Sequence, residues 1–85
     1  MQLRGQTFLI SGGASGLGAA CGRRFATAGA RVVLADINQS AGDGLAGELG
    51  RDARFVRTDV TDEASVQRAV DLALETFGGL QGAIN

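Results

Sequence analysis

The chemistry of this chain is concentrated in Ser11-Gly12-Gly13-Ala14-Ser15-Gly16-Leu17-Gly18. The stretch stands between a short apolar run, Thr7 to Ser11, and a segment whose apolar residues recur at helical spacing. A glycine turn in that setting presents free backbone N–H groups. The positive end of the helix that follows favours an anion such as a pyrophosphate. Gly12 permits the tight turn, and Gly16 lets backbone approach phosphate oxygens with no Cβ in the way. Gly18 lets the helix lie close on the strand. Ser15 adds a hydroxyl donor, and Leu17 lies between the last two glycines of the same loop. The spacing is G-x-x-x-G-x-G and not G-x-G-x-x-G, because Cys21 stands three residues after Gly18. Taken alone, such a loop also fits a glycine-rich turn that binds nothing.

A carboxylate adds weight to the ligand reading. Asp36 follows Gly18 by 18 residues, at the end of the apolar run Arg31 to Ala35. A dinucleotide fold meets the adenosine ribose hydroxyls with an acidic residue about 20 residues on. An Asx-turn toward Asn38 is the alternative for an isolated Asp; beside the glycine loop the ribose reading prevails. The same charge repels a 2′-phosphate, and Gly13, Ala14, Ser15 and Ile37 supply no cation to welcome one. NAD is therefore expected over NADP, with Ile37 beside the ribose. Asp59-Val60 ends a third run, where the carboxylate can accept from an adenine amino group and the next N–H can face a ring nitrogen. A helix-entry turn into Thr61 explains that pair equally well. Asn85 stands at the end of the fourth run, at the same expected sheet edge.

These residues need a frame that brings strand ends together. Strands are expected at Thr7–Ser11, Arg31–Asp36, Ala53–Arg57 and Leu80–Asn85, the second apolar without alternation as if covered on both faces. Helices are expected over Gly16–Ala28, Ser40–Leu49 and a third segment capped by Thr61. Leu17, Ala20, Cys21, Phe25 and Ala28 form the apolar stripe of the first helix. Val66, Ala69, Val70, Ala73, Leu74 and Phe77 form that of the third. The order βαβαβαβ implies right-handed crossovers and a Rossmann-type, doubly wound parallel sheet in three αβα layers. Residues 1–85 are expected to be the N-terminal part of one dinucleotide-binding domain, since the chain stops inside a strand and three helices only partly cover four strands. Isolated, such a piece would expose an unpaired strand edge.

Composition removes several alternatives. The 85 residues include no His, Tyr, Trp, Lys or Pro, and all 8 basic residues are Arg. Histidine catalysis, Schiff-base chemistry and a Walker-type phosphate loop are excluded within this chain. A net charge of -1 gives no footprint for nucleic acid or anionic membrane. The lone Cys21 makes neither an intrachain disulfide nor a zinc cluster, and reads as packing. No run reaches the length of a membrane span or of a signal-peptide core, so a cytoplasmic protein is expected. The arginines read as solvated, with Arg68 near Asp71.

Four motifs in order, Ser11 to Gly18, Leu34-Ala35-Asp36, Asp59-Val60 and Gly82-Ala83-Ile84-Asn85, resemble those of the short-chain dehydrogenase/reductases. The family usually has Thr at the position of Ser11, a change that keeps the hydroxyl. Asn85 matches the first residue of its Asn-Asn-Ala-Gly motif. The glycine loop looks most like that of type II 3-hydroxyacyl-CoA and hydroxysteroid dehydrogenases. The resemblance implies hydride transfer between a secondary alcohol and NAD, a small-molecule alcohol, ketone or acyl-CoA substrate, and a dimeric or tetrameric complete protein. It places Gly12, Ser15, Gly16, Leu17, Gly18, Asp36, Ile37, Asp59, Val60 and Asn85 around the cofactor. The family's catalytic Ser, Tyr and Lys fall downstream, so no catalytic residue is expected in this segment. A non-catalytic NAD-binding module is the rival reading, and a glycine-rich fragment that binds nothing is a third.

Overall fold

A computed structural model describes residues 3–84, and in it strand and helix alternate. The elements are β1 (Thr7–Ser11), α1 (Gly16–Thr27), β2 (Arg31–Asp36), α2 (Gln39–Leu49), β3 (Ala53–Arg57), α3 (Glu63–Phe77) and β4 (Gly82–Ile84). A 3-10 turn at Gly50–Asp52 leads into β3. The strands are parallel and ordered β3-β2-β1-β4. From β1 the chain winds outward to β3, then returns past β1 to place β4. Right-handed crossovers therefore set α1 and α2 on one face and α3 on the other.

This two-sided cover explains the unbroken apolar reading of β2. Val32 and Leu34 join Ile10, Ala19, Leu45 and Ala53 under α1 and α2. Val33 and Ala35 join Leu9, Ala69 and Ala73 under α3. The four β2 residues are 0–1% exposed. On β3, Phe55 and Val56 are both half-buried, one in each layer.

Several local expectations are corrected. The buried face of α1 is Ala19 and Gly22, with Cys21 and Phe25 half-buried behind them. Leu17, Ala20 and Ala28 are exposed. The reason is closeness: a Cβ at Gly22 would lie 3.0 Å from Leu34 Cδ2, so small residues must face the sheet and Leu17 turns outward. In α3, Leu74 is 48% exposed, and Leu72 packs inward in its place. α2 begins at Gln39, one residue early, because the Asn38 side chain caps it by accepting from the Ala41 N–H. The cap of α3 is Asp62, which accepts from Ala64 N–H, and not Thr61, whose donors are held by Asp59. Asp71 accepts from the Gln67 side-chain amide at 3.0 Å. Arg23 is bound to Glu48, and Arg31 and Arg54 both lie over the Phe77 ring, so these three are more than solvated charges.

Candidate functional site: a crevice at the carboxyl edge of the sheet

The loops leaving the carboxyl ends of β1, β2 and β3 meet at one edge, beside the end of β4. The crossovers reverse direction between β1 and β4, which leaves a crevice where open α/β sheets hold ligands. Three adjoining hollows occupy it. One of ≈ 220 Å³ is lined by Gly12, Ala35, Asp36, Ile37, Thr58, Asp59 and Val60. A second of ≈ 340 Å³ shares Gly12 and adds Leu17, Gly18, Cys21 and Ile84. The third, ≈ 210 Å³ and on the α3 side, shares Thr58 and Val60 with the first and Ser11 and Ile84 with the second.

The glycines of the first loop do two different jobs. Gly12 and Gly16 have φ of +66° and +57°, and a Cβ at either would meet nothing within 4 Å. Left-handed backbone here leaves open space in front of the main chain. At Gly18 a Cβ would stand 2.0 Å from the Gly12 carbonyl oxygen. What Gly18 packs against is thus the turn itself, more than the strand expected from the sequence. Gly13 is also steric, since its Cβ would lie 2.9 Å from the Ile10 carbonyl oxygen. α1 starts after an extended Ser15 that makes no capping hydrogen bond, and its first turn has no acidic residue. Its first N–H groups have no intrahelical acceptors, and among the described residues no side chain caps them.

Asp36 faces this loop. Its Oδ2 accepts from the Ala14 N–H at 3.0 Å and its Oδ1 from the Asn38 N–H at 3.1 Å. The Asx-turn weighed as an alternative is present, and the carboxylate reaches the glycine loop as well. Two oxygens offer about four acceptor sites, so capacity remains on each.

Asp59 lies across the first hollow. Its Oδ1 accepts from the Thr61 hydroxyl at 2.6 Å and the Thr61 N–H at 2.9 Å. These bonds, the hydroxyl first, hold its carboxyl below the usual carboxylate value. The folded pKa is depressed, so the stabilisation is present above the ordinary carboxylate range and is lost as pH falls through the folded value. Thr61→Val is expected to raise the Asp59 pKa toward that of an unperturbed Asp in a carboxyl-carbon NMR titration. An unmoved midpoint would show that the hydroxyl bond is not the cause.

The structure thus gathers Gly12, Leu17, Gly18, Asp36, Ile37, Asp59 and Val60 around one crevice. Ser15 and Gly16 sit exposed at the start of α1 and line none of the hollows. Asn85 lies outside the described residues. Sequence reasoning missed Thr58, a buried residue that lines two hollows and whose hydroxyl donates to the Val56 carbonyl. Its place just before Asp59, at a strand's carboxyl end, was the available signal. Ala14 was missed because its contribution is a backbone N–H, which any residue type carries.

Known proteins share the sequence pattern and the fold of this chain. The family model described as "short chain dehydrogenase" matches residues 6–85. A 2,5-dichloro-2,5-cyclohexadiene-1,4-diol dehydrogenase, LinX, of Sphingobium indicum is 51% identical over 82 residues, covering 93% of this chain and 33% of the relative. A 3-ketoacyl-(acyl-carrier-protein) reductase of Brucella melitensis, solved with NADH, superposes with a TM-score of 0.92 at 40% identity over 95% of this chain and 33% of that one. The 3-hydroxyacyl-CoA dehydrogenase type-2 of Mycobacterium avium gives a TM-score of 0.90 at 45% identity, covering 96% and 32%. The chain spans about a third of the length of the curated relatives it matches.

Proposed function

This chain belongs to the short-chain dehydrogenases, and from that premise we propose that it is the NAD-binding N-terminal part of an enzyme that moves a hydride between a secondary alcohol and NAD. The observation that carries the reading is the open backbone at Gly12 and Gly16 beside an uncapped α1, with a carboxylate one loop away. That arrangement fits a dinucleotide. The N–H groups at the start of α1 and the Ser15 hydroxyl would bind the pyrophosphate, and a Cβ at Gly16 would project into the space it needs. Asp36 would accept from the ribose hydroxyls with its remaining lone pairs. Ile37 and Val60, 57% and 63% exposed, would cover the adenine, and Leu17, 81% exposed, the pyrophosphate side. The Asp59 carboxylate would accept from the adenine amino group. Bound NAD supplies a hydride acceptor at the nicotinamide carbon. Residues 1–85 bind and orient it, and they contain no Tyr or Lys for the family's proton transfer.

The substrate class we favour is a 3-hydroxyacyl-CoA or a hydroxysteroid. The likeness to a 3-hydroxyacyl-CoA dehydrogenase type-2 supports the first. We take the complete protein to be a cytoplasmic homo-oligomer acting on small molecules. Among the described residues no helix is long and apolar enough to cross a membrane.

Calorimetric titration of the complete protein tests the reading. NAD should bind, and Gly16→Ala should weaken it by about tenfold or more, equivalent to roughly 1.4 kcal/mol. Backbone strain at a left-handed position costs the fold only about 1–2 kcal/mol, so the variant should still melt cooperatively. Undiminished NAD affinity in a folded Gly16→Ala protein would refute the assignment.

A further inference from the structure

We propose that Ser65, which lines none of the three hollows, is a positioning residue for adenine recognition, an inference that rests on the NAD reading above. Ser65 lies in the first turn of α3 and is 4% exposed. It shares the sheet-facing side of that helix with Ala69 and Ala73, both fully buried. Apolar residues suit such a stripe, and a hydroxyl there needs a partner. Its Oγ accepts from the Asp59 N–H at 2.9 Å.

That bond fixes a turn whose other ties are mostly internal. The Asp62 N–H returns to the Asp59 carbonyl at 3.0 Å, and the Asp59 Oδ1 holds Thr61. At its start the turn is tied to β2 by the Thr58 N–H, which donates to the Asp36 carbonyl at 2.8 Å, and at its centre to α3 by the Asp59 N–H, which donates to Ser65. Among the described residues neither the Val60 N–H nor the Asp59 Oδ2 makes a hydrogen bond. The turn therefore presents a free acceptor next to a free donor. Adenine offers the complement, an amino donor beside a ring-nitrogen acceptor. Both bonds form together only if the turn is held to within about 0.5 Å, and Ser65 holds it from α3.

The test compares NAD with nicotinamide hypoxanthine dinucleotide, whose base has a carbonyl and a ring N–H where adenine has the amino group and the bare nitrogen. The wild-type complete protein should bind NAD about tenfold or more tightly than the analogue. Ser65→Ala should reduce that ratio to about threefold or less, and Ser65→Thr, which returns the hydroxyl, should restore it. If Ser65→Ala melts before titration, Ser65→Cys fills similar space with a poor acceptor and should reduce the ratio likewise. A merely structural role would weaken both dinucleotides alike and leave the ratio intact, and that result overturns the inference. A wild type that binds both equally overturns it too. A wild type that binds neither overturns the NAD reading itself.

Discussion

Gly18→Ala should cost the complete protein about 3 kcal/mol or more, the upper range of an overpacked core. The added methyl would stand 2.0 Å from the Gly12 carbonyl oxygen and 2.6 Å from its carbon. Ordinary contact needs more than 3 Å, and the obstacle is backbone, so no side chain can swing aside. Either α1 moves off the sheet or the glycine turn opens. Moving α1 unpacks Ala19 and Gly22 from Ile10 and Leu34. Opening the turn breaks the Ala14 N–H bond to Asp36 and the Gly13 N–H bond to the Ala35 carbonyl. A domain has only about 5–15 kcal/mol of net stability, so the melting temperature should fall by roughly 6–12 °C, and by more with Val. Thermal melts read the effect directly. A Gly18→Ala protein melting within about 2 °C of wild type would contradict the steric role. The contrast with Gly16 is sharp: one glycine guards the fold, and the other the open space in front of it.

Asp36→Ala combined with Ile37→Arg should reverse the preference between NAD and NADP. A charge-assisted hydrogen bond contributes about 1.5–3 kcal/mol, so removal of Asp36 should weaken NAD about tenfold or more. The new guanidinium would attract the 2′-phosphate that the carboxylate repels. The structure adds a cost that the ribose contact alone does not include. Asp36 also holds the Ala14 N–H, so the double variant should bind NADP less tightly than the wild type binds NAD. Amide exchange at Ala14 should quicken in the variant even without nucleotide. Equal binding of NAD and NADP by the wild type would remove Asp36 from the ribose role. Unchanged Ala14 exchange would remove it from the loop.

The order of elements, the parallel sheet and the glycine loop were all legible in the sequence. Each depends on local periodicity or on turn chemistry within a few residues. The unbroken apolar run of β2 announced cover on both faces, and the spacing from Gly18 to Asp36 announced a carboxylate at a strand end. Tertiary structure decided what depends on contacts between distant positions. The α1 stripe was misread because periodicity shows which residues are apolar, and cannot show that helix and sheet approach so closely that Gly22 must take the inner place. That Gly16 and Gly18 have separate tasks was legible in the motif; that Gly18 packs against the Gly12 carbonyl more than against the strand was decided by the tertiary structure. The bonds from the Ala14 N–H to Asp36 and from the Asp59 N–H to Ser65 involve backbone N–H groups and a small hydroxyl, groups with no sequence signature of their own. The chain carried the residue types in order. Only the packed sheet, which joins even the Thr7 N–H to Gln81 across 74 positions, determined which of them meet.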